Sequence, residues 1–401
     1  MTGMGVRLGR LLGVEIVADG SLLLIFGLVV VQLSFIVFPA WHPEWGPWLA
    51  FGTAVVAALA FFTSILLHEL AHAWMARRQG VTVSRITLFL FGGVAQMEEE
   101  PSQPRAEFLI AVVGPLCSLI LGVASLLLGA VLLQERWSAY GPPSLDLRRL
   151  LHDMGPLTTI LVWLGQVNVL LGLFNLTPGF PLDGGRLLRA VLWSVTNDLA
   201  RATRWATNAG RGFAWGLMGL GTISLFQGGI GQGLWLLLIG WFLNHAAVSS
   251  YEMIMARQQL AGVRIEQVMT PPGRRIPPSM MLTELVQEVI MTSDQRAFAI
   301  VENNQLLGLI CLEDVRAVPR PAWATTTAAE AMTPRRRLIS VGPSEPAEHA
   351  FRLLGQNGYG QLPVVHDGAL LGFVQRAGLL RWLALQSPSP GLSEPAATTP
   401  A

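Results

Sequence analysis

Long apolar runs without charged residues alternate with short polar segments along the first 255 residues of the chain. Stretches without Asp, Glu, Lys or Arg cover residues 21–38, 48–67, 108–133, 154–182 and 212–251. A glycine-rich segment at 227–233 divides the last stretch into two. Because a helix needs about 20 apolar residues to cross a bilayer, the pattern predicts about six transmembrane helices.

The composition agrees with an integral membrane protein. Of the 401 residues, 52% are hydrophobic and only 13% are charged, about half the charged fraction of soluble domains. The net charge of +1 provides no basic field for nucleic acid. The two cysteines, Cys117 and Cys311, lie far apart in sequence, which argues against a disulfide or a cysteine-ligated metal.

The arginines predict how the helices are oriented. The loop at 39–47 has no arginine, whereas the segment after the second apolar run has Arg77, Arg78, Arg85 and Arg105. Positively charged loops stay in the cytoplasm. We therefore expect a multi-pass protein of the cell membrane with both termini cytoplasmic.

Residues 81–97, between the second and third apolar runs, have a β-like pattern with Gly92 and Gly93 near its end. Non-helical backbone at membrane depth is tolerated only when it is buried in protein or lines a cavity. The pattern therefore predicts a small hairpin or re-entrant sheet. The alternative is an ordinary cytoplasmic loop.

A repeat begins where the apolar runs end. The sequence at 268–271 recurs at 331–334, and that at 306–310 recurs at 370–374. Each unit reads as turn, helix, strand, hairpin turn, strand and helix, with Asn303-Asn304 and Asp367-Gly368 at the hairpin turns. The repeat predicts two α/β units, at 264–318 and 328–385, followed by a disordered tail at 386–401.

The motif His68-Glu69-Leu70-Ala71-His72 closes the second apolar run. Residues four positions apart share a helix face, so His68 and His72 can reach one metal ion. Glu69 is placed to take a proton from a metal-activated water. Ionisable groups on a membrane helix indicate a functional site, and the alternative is that they only end the helix at the interface.

A catalytic zinc site usually has a third protein ligand, and Asp183 is the candidate. It follows Pro178 and Pro181, which prevent a regular helix, and precedes Gly184 and Gly185. This irregular stretch can hold a carboxylate inside the helix bundle. Alternatively, Asp183 is only the N-cap of a helix at 184–195.

These two motifs resemble those of the site-2 protease family of intramembrane zinc metalloproteases. The stretch from Asn175 to Arg186 matches the family pattern N-x-x-P-x-x-P-L-D-G-G-R throughout. The resemblance implies one Zn²⁺ per chain on His68, His72 and Asp183, and Glu69 as general base. It also implies that Asn175 supports the site by donating a hydrogen bond to the developing oxyanion.

The resemblance extends to the activity. It implies a zinc metalloendopeptidase of regulated intramembrane proteolysis, acting on the transmembrane segment of another protein. Gly114-Pro115 resembles a further family feature, but Ser118 stands where many members have Asn. The strand near Gly93 resembles the family's membrane-embedded strand region, whose edge could pair with an unwound substrate.

The repeat resembles a tandem pair of CBS (cystathionine-β-synthase) domains, which often bind adenine nucleotides such as ATP or AMP. In that family a Ser or Thr and an Asp follow the glycine of the second strand and hold ribose and phosphate. Here Asp314 is present, but Cys311 replaces the hydroxyl residue, and Gln375 and Gly378 stand in the second unit. The alternative to nucleotide binding is a structural module that forms a homodimer.

The expected fold is a polytopic α-helical membrane protein with a small β region, joined to a soluble α/β CBS pair. Two other functions remain open from the sequence. One is a membrane transporter gated by the CBS pair, which would need broken helices matched in two halves. The other is a catalytically silent relative that acts as a scaffold.

Overall fold

The computed structural model describes residues 5–89, 92–97, 100–140, 154–293, 295, 297–357 and 359–386, and only the backbone at 135–140 and 356–357. The chain forms two compact units, Thr2–Glu252 and Met253–Ala401. Helix structure continues to Gln386. The rest of the predicted disordered tail lies outside the described residues.

The first unit is built mainly from helices. They are α1 (Gly20–Trp41), α2 (Pro47–Arg78), α3 (Pro104–Tyr140), α4 (Pro156–Asn175), α5 (Asp183–Thr196), α6 (Leu199–Phe226) and α7 (Ile230–Ala261), the last of which continues into the second unit. Among the described residues, five helices are long and apolar enough to cross a membrane: α1, α2, α3, α4 and α7. The segment predicted as a sixth crossing, at 212–226, is the second half of α6. The first part of that helix carries Arg201, Arg204 and Arg211, which lower its hydropathy.

A four-stranded sheet accompanies the helices. Its strands are β1 (Val6–Leu11), β2 (Val14–Ala18), β3 (Val83–Phe89) and β4 (Gly92–Met97), in the order β1-β2-β3-β4. Strands β3 and β4 are antiparallel, so the predicted hairpin is confirmed and the loop alternative is wrong. Strands β2 and β3 pair in parallel, and the sequence interpretation missed β1 and β2.

Small residues bring the helices together. A β-carbon on Gly122 of α3 would come within 3.0 Å of the Gly165 carbonyl oxygen of α4. Gly221 of α6 meets Gly233 of α7 in the same way, and Gly240 meets Ala214. The pair of Gly221 and Gly233 lies near the turn that connects the two helices, and the pair of Ala214 and Gly240 lies farther from it. The two helices are therefore antiparallel. Close backbone approach at small residues is typical of membrane helix pairs.

The second unit contains the two predicted α/β repeats. Its strands are β5 (Ala297–Glu302), β6 (Gln305–Cys311), β7 (Thr333–Pro334), β8 (Gln361–His366) and β9 (Ala369–Gln375). Its helices are α8 (Ile265–Val268), α9 (Leu282–Leu285), α10 (Leu312–Ala317), α11 (Ala328–Ala331), α12 (Ala347–Asn357) and α13 (Arg376–Gln386). Asn303, Asn304 and Asp367 have positive φ angles, as tight hairpin turns require.

Candidate metal centre

Three potential ligand atoms from two helices meet inside the first unit. The Nε2 atoms of His68 and His72 lie 3.1 Å apart, and each is 3.2 Å from Oδ2 of Asp183. Ligand bonds of about 2.0–2.2 Å in a tetrahedral site give ligand separations of about 3.4 Å. The nearly equilateral triangle therefore fits one zinc ion with an open fourth position.

Hydrogen bonds at the Nδ1 atoms, on the side of each imidazole ring away from Asp183, are also consistent with a zinc site. Nδ1 of His72 donates to the carbonyl oxygen of Ile110 at 2.7 Å. A carbonyl only accepts, so in the neutral ring the proton sits on Nδ1 and the Nε2 lone pair faces Asp183. Nδ1 of His68 lies 2.9 Å from the hydroxyl oxygen of Ser118, which can accept a hydrogen bond from the ring N–H. Such contacts orient histidine ligands in metal sites.

Helix α3 leaves room for the imidazole ring of His72 because it has a glycine at this position. A β-carbon on Gly114 would come within 2.1 Å of Nε2 of His72. Both histidines are buried, with 5% of their surface exposed. Gly114 and Ser118 are one helical turn apart on α3, and together they shape the wall behind the imidazoles.

The chain between α4 and α5 brings in the carboxylate. Helix α4 ends at Asn175, and α5 starts with Asp183 as its first residue after the N-cap, Leu182. The carboxylate contacts the two imidazoles, so the alternative that Asp183 is merely an N-cap is wrong. Gly185 lies so close to the backbone of Gly179 that a β-carbon would come within 2.3 Å of it.

A buried ion pair anchors α5 to α3. Nε of Arg189 donates to Oε1 of Glu107 at 2.6 Å, and a second guanidinium nitrogen contacts the same oxygen. Arg189 is 3% exposed and Glu107 is fully buried. The guanidinium also lies 5.2 Å from the ring centre of Phe180, in the loop that leads to Asp183. The pair thus fixes the helix that carries Asp183.

Glu69 faces the sheet. A β-carbon on Gly93 would come within 2.4 Å of Cγ and 3.0 Å of Oε1 of Glu69, so its carboxylate lies against β4. Asn175, the other predicted support, is the last residue of α4. Its side chain makes no hydrogen bond within the part of the chain that the structure describes.

Asp314, the predicted nucleotide contact, lies in the second unit. Its Oδ2 accepts from the backbone N–H of Cys311 at 2.8 Å and from the Cys311 thiol at 2.9 Å, and its Oδ1 accepts from Thr333 at 3.3 Å. Burial and this hydrogen bond raise the pKa of Cys311 to about 12. These residues line a cavity of about 870 Å³.

The sequence interpretation named Gly114 and Ser118 from the family resemblance but gave neither a role. It missed the ion pair that joins α3 to α5. The pairing of Glu107 with Arg189 joins positions 82 residues apart. The available signal was Glu107 near the start of the apolar helix α3, since a charge on such a helix commonly has a paired partner.

A bundle of membrane helices that holds a buried His-His-Asp triangle is the architecture of a membrane-embedded metalloprotease. The chain belongs to Peptidase family M50, whose model matches residues 56–217. The CBS domain model matches residues 265–320 and 328–385. The protein is therefore a site-2 protease-like zinc metalloprotease with tandem CBS domains.

Relatives share nearly the whole chain. Two that are provisionally named as zinc metalloproteases are a Synechocystis sp. protein and Rip3 of Mycobacterium tuberculosis. The former is 30% identical over 94% of this chain and 95% of its own length. Rip3 is 33% identical over 94% of this chain and 92% of its own length. The solved site-2 protease from Methanocaldococcus jannaschii is 28% identical, covers 61% of this chain and 94% of its own, and has a TM-score of 0.41.

Proposed function

We propose that the protein hydrolyses a peptide bond within or near the transmembrane segment of a membrane-protein substrate. The observation that supports this most directly is the position of the ligand triangle. Two of its three members lie on α2, a helix long and apolar enough to cross a bilayer. A hydrolytic site on such a helix suits a substrate that shares the membrane.

Each residue has a distinct part in the proposed reaction. His68, His72 and Asp183 would hold zinc, and Glu69 would be the general base. Bound zinc would supply Lewis-acid polarisation of the scissile carbonyl and lower the pKa of a water molecule. The Glu69 carboxylate accepts the proton of the attacking water and passes it to the departing amine. Asn175 would donate a hydrogen bond to the oxygen that becomes negatively charged.

The sheet offers a way to present the substrate to Glu69. Strand β4 is at the end of the strand order, so one of its edges can pair with an extended peptide. Because the Glu69 side chain lies against Gly93 of that strand, a peptide added there would run close to the proposed base. A substrate helix must first unwind, since its carbonyl groups are otherwise engaged in hydrogen bonds.

A single substitution tests the assignment of the base. We expect Glu69→Gln to abolish proteolysis while the purified protein keeps about one zinc per chain, because Glu69 is not a ligand. Membrane proteomes of cells with wild-type and Glu69→Gln protein should differ in fragments cut near transmembrane segments. The matched control is Glu252→Gln, an exposed glutamate on α7.

The outcomes of this comparison are distinct. Cleavage products that persist unchanged with Glu69→Gln would show that another group acts as the base. Products that are absent even with the wild-type protein would favour the silent scaffold. Loss of zinc from Glu69→Gln would place this residue among the ligands.

The orientation with both termini in the cytoplasm requires α6 as a sixth crossing. Its second half packs antiparallel to the first half of α7 through Gly221 and Gly240, so the two segments should share the bilayer. A cysteine at Gln227, in the connecting turn, should react with an impermeant thiol reagent only from outside the cell. A cysteine at Asn197, before α6, should react only from inside, and the reverse result would refute the topology.

The second unit is proposed to regulate the protease by binding an adenine nucleotide. The cavity of about 870 Å³ is lined by Asp314, Arg337 and Tyr359 among others, and cavities of this size hold small ligands. Calorimetry of the full chain with ATP and AMP should show heat that Arg337→Gln reduces and Arg336→Gln does not. Absence of heat with both nucleotides would contradict nucleotide binding and favour the alternative, a structural module that forms a homodimer. Cross-linking of the full chain would then test for the homodimer.

A further inference from the structure

A second cavity lies beside α2, apart from the metal ligands. It has a volume of about 270 Å³ and is partly open. Its walls are mostly apolar, and the side chains of two arginines are also part of its lining. The lining residues are Leu12, Val14, Leu70, Ala73, Trp74, Arg77 and Arg78. We refer to it as the Trp74 cavity.

The position of Trp74 along α2 places this cavity at a membrane surface. Trp74 follows Trp48 by 26 positions, about 39 Å along a helix axis. This is close to the thickness of a bilayer including its headgroup regions. Trp48 is 86% exposed and Trp74 is 41% exposed, as expected of residues at the two interfaces. Arg77 and Arg78 then lie at the level of the lipid phosphates.

The surroundings of the cavity carry excess positive charge. Arg7 and Arg85 both contact Glu15. Within the described ranges, Arg10 and Arg78 form no ion pair. Counting Arg77 as well, the described residues of strands β1–β4 and of the last two turns of α2 include five arginines and one glutamate. An anionic group is therefore favoured here electrostatically.

The two arginines that line the cavity differ in what they contact. Arg77 donates to the carbonyl oxygens of Leu12 and Val83, and so fastens the β1–β2 hairpin to α2. The guanidinium of Arg78 lies 4.2 Å from the ring centre of Trp74, and Arg78 is exposed. Arg77 thus builds the cavity, and Arg78 remains available to a ligand.

The tip of the β1–β2 hairpin is apolar and exposed. Leu12 has a positive φ of 50°, where a bulky side chain is strained, and is 63% exposed. Val6, Leu8 and Leu11 of β1 are also at least half exposed. Lipid beside the hairpin tip would remove these exposed apolar side chains from water, whereas an aqueous neighbour would not.

We propose that the Trp74 cavity binds an anionic phospholipid, with its phosphate on Arg78 and its glycerol and upper acyl chain along Leu12, Leu70 and Trp74. The site combines an apolar wall with an unpaired cation at headgroup depth, as an amphipathic ligand requires. A free phosphate would use the cation but not the apolar wall. The bound lipid would hold the hairpin against the cytoplasmic end of the helix that carries His68 and His72.

The test uses the full chain purified in a mild detergent, with phosphatidylglycerol or phosphatidylcholine added. Native mass spectrometry should show preferential retention of one phosphatidylglycerol. Arg78→Gln should weaken this retention about five-fold, as expected for one arginine near a lipid surface. The matched control is Arg201→Gln, which removes an exposed arginine that pairs with Asp198 on α6 and should leave retention unchanged.

Two further arms separate the sources of the phosphate. Excess inorganic phosphate should not displace the lipid, because it cannot use the apolar wall. Leu12→Ser, at the exposed hairpin tip, should also weaken retention, and it serves as a second variant if Arg78→Gln fails to fold. Equal retention of the two lipids, equal loss in the Arg201→Gln control, or displacement by inorganic phosphate would overturn the proposal. Zinc content, measured alongside, should stay constant in all variants.

Discussion

The hydroxyl oxygen of Ser118 lies 2.9 Å from Nδ1 of His68, on the side of the ring opposite Asp183. This serine stands where the site-2 protease resemblance led us to expect Asn. Both residue types can accept a hydrogen bond from a ring N–H. We expect Ser118→Ala to weaken zinc binding about 10- to 100-fold, as the loss of such a partner does in other metal sites.

Competition with a zinc chelator measures this effect directly. Ser118→Thr keeps a hydroxyl group and should retain most of the affinity. Ser125→Ala, two turns further along α3, is a matched serine away from the ligands and should have no effect. A zinc affinity unchanged in Ser118→Ala would show that His68 is held by packing alone.

Gly114 should tolerate no side chain. In Gly114→Ala the new methyl group would collide with Nε2 of His72, which lies 2.1 Å from its ideal position. The ring must then leave the ligand triangle, so we expect zinc content and proteolysis both to be lost. Gly129→Ala is the control, because its nearest neighbour is a side-chain methyl of Val162 at 3.2 Å. Zinc retained in Gly114→Ala would contradict the arrangement of the two helices.

The pair of Glu107 and Arg189 should matter most when only one partner is removed. Arg189→Met leaves an uncompensated buried carboxylate, which typically costs about 3–5 kcal/mol of folding free energy. The double variant Glu107→Leu and Arg189→Met should recover much of this loss, because neither charge remains. Unfolding curves in detergent give these values. Additive losses in the double variant would mean that the two residues act independently.

Cys311 should be almost inert in the folded protein. Burial and the hydrogen bond to Asp314 raise the pKa of its thiol to about 12, whereas a free cysteine has a pKa of about 8.5. In a Cys117→Ser background at pH 8, alkylation should be about a thousand-fold slower than after unfolding, because the thiolate is the reactive form. Equal rates before and after unfolding would contradict this environment.

The direction of the effect with pH follows from the same pKa. The folded state favours the protonated thiol of Cys311. The contribution of this thiol to stability is therefore complete below the pKa that it has in the unfolded chain, about 8.5. It is lost as the pH rises toward 12. Unfolding measured from pH 8 to 10 should show this contribution decline in wild-type protein, and less so in Cys311→Ala.

The meeting of His68, His72 and Asp183 was predictable because each residue sits in a short motif whose residue types indicate its chemistry. His68 and His72 share a helix face by spacing alone, and the prolines before Asp183 ruled out a continuous helix. Ser118 and Arg189 act through contacts between distant segments, which spacing does not encode. Their roles emerged only from the packing of α3 against α2 and α5.

The missed elements have local physical causes. Strand β1 breaks its alternation at Gly9, and its pairing with β2 shifts register between Arg7 and Gly9. The turn that follows uses Leu12 at positive φ, a residue that turn rules do not favour. In α6 the arginines at 201, 204 and 211 obscured a helix of 28 residues, of which only the apolar half was recognised.

The depth of the histidines along α2 determines how a substrate would be divided under the proposed function. His68 is 20 positions from Trp48 and six from Trp74, about 30 Å and about 9 Å along the axis. A chain cut at that level keeps nearly all its apolar length on one fragment, which stays anchored. The other fragment carries only a few apolar residues and can diffuse away on the arginine-rich side. Asymmetric scission of this kind would turn a membrane-tethered domain into a soluble messenger.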